Sequence, residues 1–466
     1  MFRTVSLPLW LLILILLFAA VTFASHFLFP SVRWFFRKRA ERLVARLNER
    51  LDRPIEPFKL ARRHDMIQRL IYDPSVAEAI VDYAREKGVP ENVAFEKARD
   101  YAREIVPSFS ATAYFTFGTR FARWLSKSLY RIRLGQFDRN GMDDVDRDAA
   151  VIFVMNHRSN MDYVLVTYLV SRSSALSYAV GEWARVWPLS SVIRAMGAYF
   201  IRRRNRSALY RRILARYVQM AVRGGVTQAF FPEGGLSLDG RIAEPKLGLL
   251  SYIVDGWSPE GRDVIFVPVA LNYDHILEDK FLIAAAKSGK RRFRPPIGTV
   301  LRGVGWHLLK RISGRFRGFG TASVGFGRPV SLSALMAEGP VSMQALGIEL
   351  MREVERVVPI LPVPLVCTLL REKPGLTEAE IETRLAELLD RLKTTGVNLP
   401  QREVSEIRED ALRILRERGL VRMKDGGIHI AEKAGEVIDF YAASIAQHMP
   451  APESGQGENC VSAAAK

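Results

Sequence analysis

Apolar and polar positions divide the chain into five zones. Between residues 4 and 32 there is no Asp, Glu, Lys or Arg, and residues 7–29 are almost wholly apolar. A membrane span needs roughly 20 such residues, so this zone (1–32) predicts one N-terminal transmembrane helix. Trp10 lies near one end, and Trp34, Phe35 and Phe36 lie near the other, as in an interfacial aromatic belt. Arg33, Arg37, Lys38, Arg39 and Arg42 follow, and such basic flanks stay on the cytoplasmic side. The expectation is a single-pass protein of the cell inner membrane with its main body in the cytoplasm. A cleaved signal peptide fits less well, because the apolar run is long and no clear small-x-small site precedes a mature start.

The second zone, 33–135, reads as helical. Leu43, Leu47 and Leu51 recur every fourth position, with Arg42, Arg46, Glu49 and Arg50 on other faces. Pro54 and Pro57 break that helix, and helical patterns resume over 76–87 and 92–105. The third zone, 136–338, opens on a polar loop over 138–148. There Ala150-Val151-Ile152-Phe153-Val154-Met155 is a short continuous apolar run, as in a buried strand. Further strands are expected over 199–201, 226–231, 264–270 and 322–326, with helices over 161–170 and 208–222. Strands alternating with helices predict an α/β fold, a mixed sheet flanked by helices. The fourth zone, 339–450, is helical again. Thr377 opens a helix as its cap, and a helix over 407–417 precedes a hairpin turning at Asp425-Gly426-Gly427. The last zone, 451–466, is rich in Gly, Ser, Ala and Glu and reads as a disordered tail.

Composition narrows the class. With 466 residues, 48% of them hydrophobic, the chain has material for two or three folded domains. Its formal charge of +18 predicts an anionic partner: nucleic acid, lipid headgroups or a phosphorylated metabolite. A basic stretch with Lys287, Lys290, Arg291, Arg292, Arg294, Lys310, Arg311 and Arg315 suits anionic lipid or an acidic carrier protein, and equally a solvated loop. Cys367 and Cys460 are the two cysteines; they form neither a disulfide framework nor a thiolate metal site. The histidines have no metal-ligand spacing, and no metal or organic cofactor is implied.

The chemistry concentrates in Asn156-His157-Arg158-Ser159-Asn160-Met161-Asp162, directly after the first buried strand. On one continuous helix a separation of five residues is roughly 500° of turn, which leaves two side chains about 140° apart. With a turn at Arg158-Ser159-Asn160 and a helix from Met161, His157 and Asp162 can meet. A neutral imidazole accepts a hydroxyl proton, and a carboxylate on its other nitrogen fixes the tautomer. Taken alone, the spacing is a weak signal and fits a surface histidine and a helix-capping aspartate better.

Three further segments add context: Gly197-Ala198-Tyr199-Phe200-Ile201-Arg202-Arg203; Phe231-Pro232-Glu233-Gly234-Gly235 with Gly240-Arg241 and Pro245-Lys246-Leu247-Gly248; and Val267-Pro268-Val269 with Tyr273. Together with the His157 segment they resemble, in order, the four blocks of the glycerophospholipid acyltransferase family. The branch they most resemble is the bacterial membrane-bound glycerol-3-phosphate O-acyltransferases, over about residues 70–335. The resemblance implies that 136–338 is an acyltransferase domain. It implies that His157 is the general base and Asp162 its orienting partner. It makes Arg158, Ser159, Arg202, Arg203, Glu233, Gly234, Gly235, Arg241 and Lys246 candidate substrate-binding residues. The implied donor is acyl-CoA or acyl carrier protein, the acceptor is a glycerol phosphate, and membrane lipid is a further partner.

One departure stands out. Where the glycerol-3-phosphate branch has an Arg-x-Arg pair after the third-block glycines, this chain has Leu236-Ser237-Leu238. A 1-acylglycerol-3-phosphate acceptor is the alternative that this raises. Two other classes compete: a nucleic-acid binder, from the charge and a winged-helix pattern near 407–430, and a lipid-binding relative without turnover. The apolar N-terminus and the ordered blocks argue against the first, and the His157/Asp162 pair argues against the second.

Overall fold

A computed structural model describes residues 8–23, 29–137, 144–171, 173–181, 185, 189–202, 207–289 and 318–449. Arg203, the basic residues from Lys290 to Arg315 and the 451–466 tail lie outside the described residues. Two compact units are present, Met1–Ala122 with Thr167–Gln228, and Arg123–Val166 with Ala229–Lys466.

The apolar N-terminal segment is where expectation and structure part. It is described as a helix over Leu9–Phe23, 15 residues. At 1.5 Å per residue that is about 22 Å, short of the roughly 30 Å of a bilayer core. The next helix, Phe29–Asn48, carries five arginines and one lysine along its length. Among the described residues no helix is long and apolar enough to cross a membrane. The transmembrane anchor and the single-pass inner-membrane location are therefore corrected: counting apolar residues overstated the length of helix they build.

In the first unit, helices Pro74–Lys87, Glu91–Ile105 and Ala208–Arg223 pack on one another. Pro74–Lys87 starts where Asp73 accepts the Ser75 N–H, with proline at the first turn, where its missing N–H costs nothing. It buries Val76, Ile80 and Ala84, one stripe four residues apart. Tyr101 meets Tyr210 edge to face, with centroids 5.3 Å apart. Strands Ser177–Gly181 and Tyr199–Ile201 pair in parallel in the same unit.

The second unit carries the sheet that positions the site. Its strands are β1 (Arg131–Phe137), β2 (Ala150–Met155), β3 (Gln228–Phe230), β4 (Val264–Tyr273), β5 (Thr321–Phe326) and β6 (Val330–Ser331). They run in the order β1-β5-β4-β2-β3, with β6 also on β4. β2 pairs β4 in parallel from Ala150↔Val264 to Met155↔Val269, and β1 pairs β5 in parallel. β5 and β6 run antiparallel to β4, so the sheet is mixed. β2 and β4 are buried along their whole length, which is why each reads as an unbroken apolar run. β1 was not expected as a strand. Its alternating Arg131-Ile132-Arg133-Leu134 is half exposed at a sheet edge, and its partner β5 lies far along the chain.

Helices cover this sheet. α1 (Met161–Val170) follows β2, and α2 (Asp279–Ser288) follows β4. Further along come α3 (Pro362–Glu372), α4 (Val404–Glu417), the antiparallel hairpin β7 (Val421–Lys424) and β8 (Gly427–Ile430), and α5 (Gly435–Ala443). The helix Glu378–Lys393 opens on a full capping box of Thr377 and Glu380.

β4 is tied to α3 by Asp274. Its Oδ1 accepts the Val363 N–H at 2.9 Å and its Oδ2 accepts the Thr321 N–H at 2.7 Å. Burial outweighs these bonds and raises its carboxyl to about 6. A carboxyl raised on folding contributes stability that is complete below its unfolded value and is lost as pH rises through about 6. The stability difference between the wild-type chain and Asp274→Asn should therefore shift by roughly 2 kcal/mol against the wild type between pH 4 and 7. Urea unfolding across that range measures it, and a pH-independent difference would refute the assignment.

Candidate active site

β2 delivers its last residues to a turn at its C-terminal end. Asn156 fixes where the strand stops: its side-chain amide donates to the Leu271 carbonyl at 3.0 Å and accepts the Leu271 N–H at 2.7 Å. The amide thus imitates one more residue of the β2–β4 ladder. The chain then turns through Arg158-Ser159-Asn160, and α1 begins at Met161.

His157 and Asp162 meet across that turn. The Nδ1 of His157 lies 2.9 Å from Asp162 Oδ2, and both side chains are buried. The same Oδ2 accepts the Arg158 N–H at 2.8 Å and the Ser159 N–H at 3.0 Å. Oδ1 accepts the Tyr273 hydroxyl at 2.6 Å. With Asp162 ionised, Nδ1 is the protonated ring nitrogen, and Nε2 is left as the basic one. The ring stacks on Phe231 with centroids 3.9 Å apart, and Tyr163 meets both rings edge to face.

Glu233 holds the turn from the other side. One carboxylate oxygen accepts the His157 N–H at 2.7 Å, and the other accepts the Ala243 N–H at 3.0 Å. Burial raises its pKa, against the field of Arg158 and these two bonds. Gly234 follows at φ +67°, a left-handed conformation that favours glycine, with the Lys246 side chain packed over it. Gly235 is buried beside it. The Lys246 N–H donates to the Pro232 carbonyl at 2.9 Å, and the Ser237 N–H donates to the His157 carbonyl at 2.9 Å. The loop from Phe231 to Lys246 therefore wraps the His157 backbone. Arg241 is exposed on that loop, its N–H donating to Asp239 at 3.0 Å.

Arg158 and Ser159 point into protein. Arg158 is fully buried; one guanidinium nitrogen donates to the Ser444 carbonyl at 3.1 Å, while Nε and Nη1 have no partner. Burial lowers its pKa, and the fields of Glu233, Asp162 and Asp239 oppose that shift. Ser159 Oγ donates to Glu278 at 2.8 Å and accepts the Met161 N–H at 3.1 Å. Glu278 also accepts the Asn160 N–H at 3.2 Å and the Asn160 side-chain amide at 3.0 Å. Arg202 belongs to the first unit. There its guanidinium forks onto both oxygens of Glu104, at 2.9 and 2.6 Å.

Sequence reasoning missed Tyr273 as a partner of Asp162, the Glu278 anchor, and the Phe231–Tyr163 packing around the ring. Tyr273 carried a weak signal, its place just after the fourth segment. Glu278 carried none, because its partners are 118 and 119 residues away. The next residue, Asp279, is gripped by Arg418 and by the Tyr441 hydroxyl at 2.6 Å. Tyr441 also takes the Ile276 N–H at 2.8 Å. The segment that anchors the turn is thus held in place by the C-terminal helices. The thiol of Cys367, buried in α3 and pushed up by that burial, is no nucleophile here.

A protein-family model for acyltransferases matches residues 136–272, and one for the glycerol-3-phosphate acyltransferase C-terminal region matches residues 305–444. The glycerol-3-phosphate acyltransferase of Pasteurella multocida is 31% identical over 284 residues, 59% of this chain and 33% of that protein. Those of Actinobacillus succinogenes and Aeromonas hydrophila are each 30% identical over 60% of this chain, and over 33% and 34% of their own lengths. The chain therefore matches about a third of the length of these relatives. Among solved structures, the 1-acyl-sn-glycerophosphate acyltransferase of Thermotoga maritima aligns at TM-score 0.33 and 22% identity, covering 52% of this chain and 76% of that one.

The anchoring role of Glu278 is separable from chemistry. Glu278→Ala leaves Ser159 Oγ and the Asn160 N–H without their acceptor, which should cost about 2–3 kcal/mol in urea unfolding. Amide hydrogen exchange at Asn160 should accelerate with it. Glu278→Gln retains one acceptor oxygen and should recover part of both. Unchanged exchange in the alanine variant would show that the turn holds without this carboxylate.

Proposed function

Because the chain belongs to the glycerophospholipid acyltransferase family, we propose that it transfers a fatty acyl group from a thioester to the sn-1 hydroxyl of glycerol 3-phosphate. In this reading His157 is the general base and Asp162 its orienting partner. The observation that carries it is the buried 2.9 Å contact between His157 Nδ1 and Asp162 Oδ2, which leaves Nε2 as the basic nitrogen. The donor is acyl-CoA or acyl carrier protein.

The hydroxyl proton passes to Nε2 as the hydroxyl oxygen attacks the thioester carbonyl carbon. The new C–O bond forms and the carbonyl electrons move onto oxygen. The tetrahedral intermediate then collapses, the C–S bond breaks, and the sulfur leaves with the proton held by His157. Ester and thiol are released, and no covalent enzyme intermediate is needed. Asp162 stabilises the imidazolium while the proton is on the ring. Its three other donors, from Arg158, Ser159 and Tyr273, keep that carboxylate from turning away.

Phosphate recognition falls to cations such as Lys246, whose side chain lies against Gly234 in the loop that wraps His157. Arg241, Arg202 and Arg203 are the further candidates. Leu236 and Leu238 favour a second reading, a 1-acylglycerol-3-phosphate acceptor. Apolar side chains at those two places would suit the acyl chain of a lysolipid better than a bare phosphate.

Assays of the full chain with glycerol 3-phosphate and 1-acylglycerol 3-phosphate offered separately decide between the acceptors. His157→Ala should lower kcat by at least about 10³-fold with unfolding unchanged. Asp162→Asn should lose on the order of 10³–10⁴ through tautomer control. Near-normal turnover by a folded His157→Ala protein would sink the mechanism.

A further inference from the structure

A cleft of about 630 Å³ opens in the second unit between α2, the start of β7 and the loop entering α5. Lys280, Lys287, Arg418, Arg422 and Lys433 line it, against the carboxylates of Glu432 and Glu436. Two of the cations are committed, Lys287 to Glu436 and Arg418 to Asp279. The other three, Lys280, Arg422 and Lys433, are exposed and form no ion pair among the described residues. Such a concentration of uncompensated cations in a concave site attracts a compact anion. The volume lies within the roughly 300–1,000 Å³ of small-ligand sites.

Two features tie this cleft to the turn at His157. Arg418 is nearly buried and fixed by Asp279 and by the Tyr441 hydroxyl at 3.1 Å, so the cleft has a rigid inner wall. Lys280 sits two residues beyond Glu278, whose carboxylate holds Ser159 and Asn160. The cleft therefore begins at the end of α2 that anchors the turn. A ligand with phosphates at one end and a reactive group on a long arm could occupy both places.

Resting on the acyl-transfer reading, we propose that this cleft binds the phosphates of a nucleotide thioester donor, acyl-coenzyme A, with Lys280, Arg422 and Lys433 as its phosphate ligands. The pantetheine arm then carries the thioester toward His157. A single small molecule bearing several phosphates suits three cations gathered around one open cleft. A docked carrier protein would need an interface of roughly 1,200 Å² or more in total.

The test is equilibrium titration of coenzyme A itself, which has no acyl group to transfer, into the full chain and into charge variants. Lys280→Ala, Arg422→Ala and Lys433→Ala each remove an exposed side chain and should each weaken binding roughly tenfold. The paired Lys280→Glu/Lys433→Glu variant should weaken it further, and removal of the ligand's 3′-phosphate should reduce the effect of the substitutions. In turnover the same variants should raise the KM for acyl-CoA while leaving kcat and the KM for the acceptor unchanged. Coenzyme A binding that is indifferent to all three cations would overturn the proposal. So would variants that weaken only an acyl carrier protein. Cleft-dependent binding in a chain that acylates no acceptor would keep the site and defeat the reaction proposed above, so the two can fail separately.

Discussion

A buried carboxylate has to be satisfied, and Asp162 is satisfied four times over. Its oxygens take the His157 ring, two consecutive backbone N–H groups and the Tyr273 hydroxyl. An ionised group without exposure would be costly if any of these donors were lost, since each leaves part of the charge unsolvated. The turn from His157 to Met161 is therefore one unit, closed by a side chain just beyond it. Everything that fixes where β2 ends, above all the Asn156–Leu271 bridge, also fixes where the imidazole lies. Glu233 and Glu278 hold the same turn at its two ends through backbone N–H groups, so a small shift of either loop is felt at the ring.

The C-terminal helices are part of this arrangement. Between Asn272 and Asp279, four residues bond to that region. Asn272 donates to the Pro359 carbonyl, Asp274 takes the Val363 N–H, Ile276 donates to Tyr441, and Asp279 takes Arg418 and Tyr441. Tyr273 and Glu278, the two residues of that segment that touch the turn, are held by this bracket. Arg158 adds a direct tie from the turn to the Ser444 carbonyl. The region after β5 thus behaves as a wall of the site.

The sequence disclosed what is local and concealed what is distant. The His157–Asp162 contact, the buried strands β2 and β4, the helix cap at Thr377 and the β7–β8 hairpin are set by residues within about ten positions of each other, and all were legible. Tyr273, Glu278 and Ser444 reach the turn across 111, 119 and 286 residues, where no periodicity records the contact. Strand β1 escaped because edge strands need only one apolar face, and its arginines broke the pattern. The N-terminal segment was read too far in the other direction. Apolar composition says that a helix can enter hydrocarbon, but crossing needs length, and Leu9–Phe23 is too short for it.

Charge balance explains why an arginine is buried where so little solvent reaches. Arg158 leaves two guanidinium nitrogens without partners, an expensive arrangement unless nearby charge offsets it. That charge is supplied by Asp162, Glu233 and Asp239, whose fields stabilise the guanidinium against its desolvation. The exchange is mutual: the two carboxylates that hold His157, one at its ring and one at its backbone, would otherwise repel each other. With the Arg158 charge nearby, Asp162 holds the His157 ring while Glu233 serves as an acceptor for the backbone. Replacing the arginine with an uncharged residue of equal size would keep the packing and remove the offset. The consequence would fall first on the carboxylate with the weaker set of donors, which is Glu233 with two against the four of Asp162.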